Sequence, residues 1–137
     1  MPRVEADFEN VGKPFEAGQY LAEIIGAQTK PAKDGSVNIV WEFQIIEAGA
    51  AMGKRISFWS YLADNRKLAD GVTPDKEAQE RAAYYLKKFL TAIKCPYEPK
   101  QFDTEDAMHR RAVLKIKVEN YQGDDKNTIE EVLPVQD

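Results

Sequence analysis

The stretch "SVNIVWEFQIIEAGAAMGKRISFWSYL", residues 36–62, reads as two long β-strands joined by a short link punctuated by Gly49 and Gly53. Side chains on a strand alternate faces with period two. In the first half Val37, Ile39, Trp41, Phe43 and Ile45 share one face and Asn38, Val40, Glu42, Gln44 and Ile46 the other, the clearest strand pattern in the chain. In the second half Ile56, Phe58 and Leu62 point one way, while Arg55, Ser57, Trp59 and Tyr61 point the other. The two strands are expected to pair antiparallel across the link. Both faces of the second are sticky. A half-buried strand ordinarily shows water Thr, Lys and Glu rather than a tryptophan and a tyrosine.

Outward from this pair, "QYLAEIIGAQT" alternates as a strand, and "KPAKDG", with Pro31 and Asp34-Gly35, marks a turn. Residues 63–72 are polar and loop-like. A helix follows, with Thr73 expected as N-cap, Pro74 at the first helical position, and Asp75 and Glu77 at the positive end of the dipole. Its apolar stripe runs through Ala78, Ala82, Tyr85, Leu86, Phe89, Leu90 and Ile93, and it is expected to stop before Pro96. A connection containing Pro96 and Pro99 leads to "RAVLKIKVENY", in which Ala112, Leu114, Ile116 and Val118 face inward. "QGDDKN" reads as a turn and "TIEEVLPV" as a final strand cut short by Pro134. The order βββαββ predicts a mainly β fold, a five-stranded Greek-key barrel of the OB-fold type with one helix plugging an end. The alternative is an α+β sheet with the helix packed on one face.

A chain of 137 residues suits one domain, here residues 13–137, preceded by a polar, acidic arm over residues 1–12. No apolar run approaches the ~20 residues of a membrane span, so a soluble, unexported, cytoplasmic protein is expected. The single cysteine, Cys95, leaves no internal disulfide framework and too few ligands for a Cys-based zinc site. A net charge of −4 argues against binding nucleic acid through bulk positive charge. Yet residues 87–117 hold eight Lys and Arg against four Asp and Glu, which allows a local positive groove on an acidic molecule.

Enzymatic equipment is scarce. His109 is the only histidine and no phosphate-cradling glycine loop or nucleophile elbow occurs. Asp124-Asp125 and Glu130-Glu131 sit in a turn and a terminal strand, as solvated charge. Cys95 follows a helix C-terminus, where the dipole has the wrong sign to favour a thiolate, and is read as packing. No catalytic residue, metal ligand or cofactor is expected, and the chain is read as a non-enzyme. The stronger constellation is the aromatic strand. Flat rings beside cations stack unpaired bases while Lys and Arg track phosphates. Arg55, Trp59 and Tyr61 would form such a platform, lined by Lys54, Lys115 and Lys117. Lys87, Lys88, Arg110 and Arg111 would extend the path, and Lys33 lies at the first turn. The same rings equally suit a second core beneath the 63–72 loop, or a homodimer or other protein interface.

Across residues 12–135 the sequence resembles a family of small phage-encoded proteins of unknown function found among replication and recombination genes. The likeness is carried by the opening Pro14, Ala17, Gly18 and Tyr20, the Lys-rich turn with Gly35, the strand ending in Glu47, and Gly53-Lys54-Arg55-Ile56. Downstream it continues in "YYLKKFLTAIKCP" and "HRRAVLKIKVENYQGDDKNTIEEVLP". The resemblance implies an OB-like single-stranded-DNA-binding accessory of phage DNA replication or recombination, in the host cytoplasm. Because one such module covers only about 4–16 nucleotides, a homo-oligomer is expected on this reading, and on the alternative reading the aromatic face meets a second copy or a phage replication or recombination protein. The closing "EEVLPVQD" starts inside a strand, unlike the long acidic tail of better-known single-strand binders, so recruitment of partners through such a tail is not expected.

Overall fold

A computed structural model describes Arg3 and residues 14–136; the arm expected over residues 1–12 lies, Arg3 apart, outside the described residues. Strands β1 (Gly18–Pro31), β2 (Val37–Ile45) and β3 (Arg55–Tyr61) precede the helix α1 (Lys76–Ala92), and β4 (Arg111–Tyr121) and β5 (Asp124–Leu133) follow it. All pairings are antiparallel, in the order β3-β2-β1-β4-β5. The mainly β architecture with its helix between the third and fourth strands is the one that the element order predicts. The expected barrel, however, is not closed: β3 and β5 come alongside each other as the two edges of one sheet without pairing.

The long central β1 makes this arrangement. Its first half pairs with β4 and its second with β2, and a bulge between Ile24 and Gly26 bends it between the two. The turn from β1 into β2 is held by Ala32 N donating to Ser36 O (2.8 Å) and Gly35 N to Ala32 O (3.0 Å). Gly35 has φ +84°, and a Cβ there would meet Asn65 Nδ2 at 2.7 Å, so both conformation and space demand glycine. The last turn is tighter than "QGDDKN" predicts. Gln122 and Gly123, both at positive φ, suffice to reverse the chain, and β5 starts at Asp124 rather than Thr128.

Except at Val118, the inward rows meet as read. Ile24, Ile39, Trp41, Phe43, Leu114 and Ile116 are buried, together with Phe89, Leu90 and Ile93 at the end of α1. Trp41 is completely buried, and its indole N–H donates to Ser60 Oγ at 3.0 Å, so no polar atom is orphaned there. Phe89 is the hub of the ring cluster, 4.7 Å from Trp41, 5.2 Å from Phe58 and 6.2 Å from Phe43 between centroids. Full burial of each such side chain contributes about 1.5–3 kcal/mol.

Two expectations are corrected here. Val118 is not inward but 39% exposed, because the β1 pairing ends at Ile116 and β4–β5 runs on as a two-stranded ribbon past the core. The helix starts later than Thr73-Pro74 predicts. Asp75 is the N-cap, accepting from Ala78 N, because Thr73 is already engaged with Asp70 and Pro74 bridges Lys67 in the preceding loop. At the other end Lys94 turns left-handed (φ 57°) and Cys95 N–H reaches back to Leu90 O. Among the described residues no helix is long and apolar enough to cross a membrane.

Candidate nucleic-acid interface

β3 is an edge strand, and its outer row stands open. Trp59 is 53% exposed, while Tyr61 is half-buried because its hydroxyl donates to Asp34 Oδ2 in the β1–β2 turn. That hydroxyl, followed by the Ser36 amide, holds the Asp34 carboxyl below the usual carboxylate range. Directly opposite Trp59 on β2 sits Val40, on the outer face yet only 6% exposed. The Lys30 ammonium, on β1 beyond Asn38, lies 5.7 Å from the Trp59 ring centre, a cation–π distance. The ring is thus a half-open aromatic surface with a positive charge already in place.

Beside it lies a groove of about 430 Å³, walled by β3 on one side and α1 on the other, with β5 across the gap. It exists because only the C-terminal half of α1 is seated in the core. Of the apolar stripe, Ala78, Ala82 and Leu86 are only partly buried, Leu86 packing against the core, and they line the space between the two unpaired sheet edges together with Tyr85, which is 60% exposed. Small alanines near the start of the helix cannot fill that space. The groove has two electrostatic sides. Arg66, Arg81 and Lys88 stand along the loop and helix, whereas Glu130 and Glu131 stand on β5. Arg66 is tied to Asp75 at 3.3 Å and Arg81 reaches Glu77 at 3.6 Å, both with more than half of the cation's side chain exposed; Lys88 has no ion-pair partner among the described residues.

The residues singled out in the sequence divide accordingly. Trp59, Tyr61 and Lys88 line the groove, whereas Lys33 is outside the lining, exposed in the turn whose Asp34 holds Tyr61. Lys87 is exposed on α1 but outside the lining. Lys54 and Arg55 lie at the opposite end of β3, where Arg55 is 3.7 Å from Glu42 and shares a transverse row with Gln44, Glu23 and Arg111. Lys115 and Lys117 stand on β4, behind β5, with carboxylates close by: Lys115 is 3.9 Å from Glu130 and Lys117 2.6 Å from Glu119, whose hydrogen bond raises the Lys117 pKa. Arg110 is half-buried as a clasp, donating to Asp106 O and to Lys94 O beyond the end of α1. Sequence reading missed Lys30, Arg66, Arg81 and Tyr85. The 81/85/88 spacing on one helix face was legible; the placing of Lys30 and Arg66 depends on contacts distant in sequence.

Cys95 is buried, which pushes its thiol pKa up and keeps it neutral, as packing requires. The exposed His109 faces Glu23 at 3.9 Å. No three His, Cys, Asp or Glu side chains converge as a metal site among the described residues.

The loop leading to α1 carries a pH-sensitive clasp. Asp70 accepts from Val72 N, Thr73 N and the Thr73 hydroxyl, and these bonds, the hydroxyl foremost, lower its pKa from 3.8 to about 2. A depressed carboxylate stabilises the fold above its unfolded pKa, and that contribution is lost as pH falls through the folded value. The loop that holds Arg66 is therefore expected to loosen between about pH 4 and pH 2. An NMR titration checks this: the Asp70 carboxyl should titrate near 2, with Thr73 amide exchange quickening over the same interval.

A family model described as "Protein of unknown function (DUF669)" matches residues 3–136, and the chain belongs to that family. No curated protein matches the sequence.

Proposed function

We propose that this protein is a sequence-tolerant single-stranded-DNA-binding protein, an accessory of phage DNA replication or recombination. The observation that carries the reading is the half-exposed Trp59 ring on an edge strand, with Lys30 5.7 Å from its centre and a groove leading from it to Tyr85. A base stacked on such a ring gains about 1–3 kcal/mol without any sequence readout. The strand order β3-β2-β1-β4-β5, with α1 between β3 and β4, supports an OB-like barrel left open between β3 and β5. The opening lies where the groove does. The resemblance to small phage-encoded proteins of unknown function found among replication and recombination genes suggests the biological setting.

On this reading the strand runs over Trp59 into the groove, and Lys30, Arg81 and Lys88 meet its phosphates. Because one module of this kind covers only about 4–16 nucleotides, useful affinity calls for several copies lining up along a strand. Titration of oligo-dT at two salt concentrations tests the reading. Affinity should fall by about 0.7 log units per phosphate contact for each log unit of salt. Concentration-dependent dimers in sizing, with no DNA signal, would instead assign the aromatic face to protein–protein interaction.

A further inference from the structure

We infer that Lys30 caps the Trp59 ring in the free protein and that a ligand removes this cap readily only when it brings an anion together with a flat ring. The platform is thereby selective for phosphate-linked bases over neutral aromatic ligands. This rests on the proposed single-strand binding and concerns what controls access to that site.

Lys30 stands on β1, two strands away from Trp59, and reaches it across β2. Lys30 is opposite Asn38 and Asn38 opposite Tyr61, while Val40 is opposite Trp59 in the neighbouring row. The long lysine stem makes that crossing, and its ammonium comes to 5.7 Å from the ring centre. The carboxylates on this face of β2 and in the adjoining turn are engaged elsewhere. Asp34 accepts from the Tyr61 hydroxyl and the Ser36 amide, Glu42 lies 3.7 Å from Arg55, and Lys30 has no ion-pair partner among the described residues. A lysine ammonium is strongly hydrated and, left unpaired, extends into water. Here the negative π face of the indole draws it in instead.

The ring has one side to offer. Val40, directly opposite Trp59, is only 6% exposed although it points away from the core, so it lies on the sheet side of the ring, whereas Trp59 is 53% exposed. The ammonium and an incoming base therefore call on the same outer side and exclude each other. A stacked base is worth more than an exposed cation–π contact, so a strand wins the ring. The displaced ammonium then pairs with a phosphate of that strand, which offsets the loss of the ring. A neutral aromatic group supplies no such second partner and bears the whole cost of uncapping.

The test compares wild type, Lys30→Ala and Lys30→Arg on oligo-dT and on a thymidine strand of equal length whose linkages are uncharged methylphosphonates. Lys30 is exposed near the end of β1, so all three proteins should unfold at similar urea concentrations. Lys30→Ala should bind the uncharged strand about two- to fivefold more tightly than wild type, the value of one exposed cation–π contact. Its binding of oligo-dT should depend less steeply on salt, by about 0.7 log units per log unit, through loss of one phosphate contact. Lys30→Arg keeps a cation over the ring and should bind the uncharged strand no more tightly than wild type does. A lysine that only meets phosphate leaves binding of the uncharged strand unaltered in Lys30→Ala. That result, or an equal gain in Lys30→Arg, overturns the inference and leaves single-strand binding standing. Failure of wild type to bind oligo-dT at low salt overturns the proposed function itself and the inference with it.

Discussion

Trp59→Ala should weaken binding of oligo-dT by about five- to hundredfold, the equivalent of the 1–3 kcal/mol that a stacked base contributes. The fold should survive. More than half of the residue is already exposed, and its neighbours on the sheet are the small Val40 and the flexible Lys30. Exposure of Val40 costs little, because one aliphatic side chain on an outer face is worth about 1 kcal/mol or less when only partly uncovered. Trp59→Phe retains a stacking face and should recover part of the lost affinity. A urea-unfolding midpoint near that of wild type, beside a large drop in affinity, is the expected pair of results. Unchanged affinity would remove Trp59 from the interface.

Phe89→Ala should have the largest effect on stability, a loss of about 3–5 kcal/mol for truncation of a buried phenylalanine, out of the 5–15 kcal/mol typical of a whole domain. Phe89 is 4% exposed and contacts rings from both β2 and β3. Its removal leaves a cavity beside Trp41, whose indole is pinned to Ser60 and cannot readily swing in to fill it. The effect should reach the groove. Phe89 anchors the C-terminal half of α1, and Tyr85, Lys88 and Arg81 ride on the same helix. In a domain that still folds, DNA binding should therefore weaken although Phe89 itself meets no phosphate. Urea unfolding followed by circular dichroism measures the first effect, and the oligo-dT titration under folded conditions the second. A loss below about 1 kcal/mol would show that the ring cluster does not hold the helix.

What the sequence discloses of this architecture follows the reach of each signal. Alternation in residues 36–62 assigns Trp41 and Phe43 to the interior and Trp59 to the outer row, because strand pleating is local. Helical periodicity locates α1 and the residues that anchor it, but marks Tyr85 as core. The pattern records that a side chain is apolar, not that the opposite wall of the sheet is missing. That missing wall depends on the bulge in β1 and on the register of β4 with β5, which pass unnoticed in a hydrophobic pattern. Lys30 comes to Trp59 only through the β1–β2 register, in which Lys30 stands opposite Asn38 and Val40 opposite Trp59. Arg110 reads in the sequence as one of the cations that extend the phosphate path beside Arg111. Its bonds to Asp106 and Lys94 carbonyls make it a fastening at the end of α1 instead. The helix start was misplaced by two residues because Thr73 and Asp75 are both good caps, and the choice between them was made by Asp70.

The chain has two tryptophans, and only one of them meets solvent: Trp41 is sealed in the core and Trp59 is half open. Intrinsic tryptophan emission during an oligo-dT titration at low salt therefore reports on the proposed platform itself. The account predicts saturable quenching that is relieved by added salt and absent in Trp59→Ala. Emission that stays unchanged while oligo-dT saturates the protein by another measure, or no binding at all at low ionic strength, would contradict it.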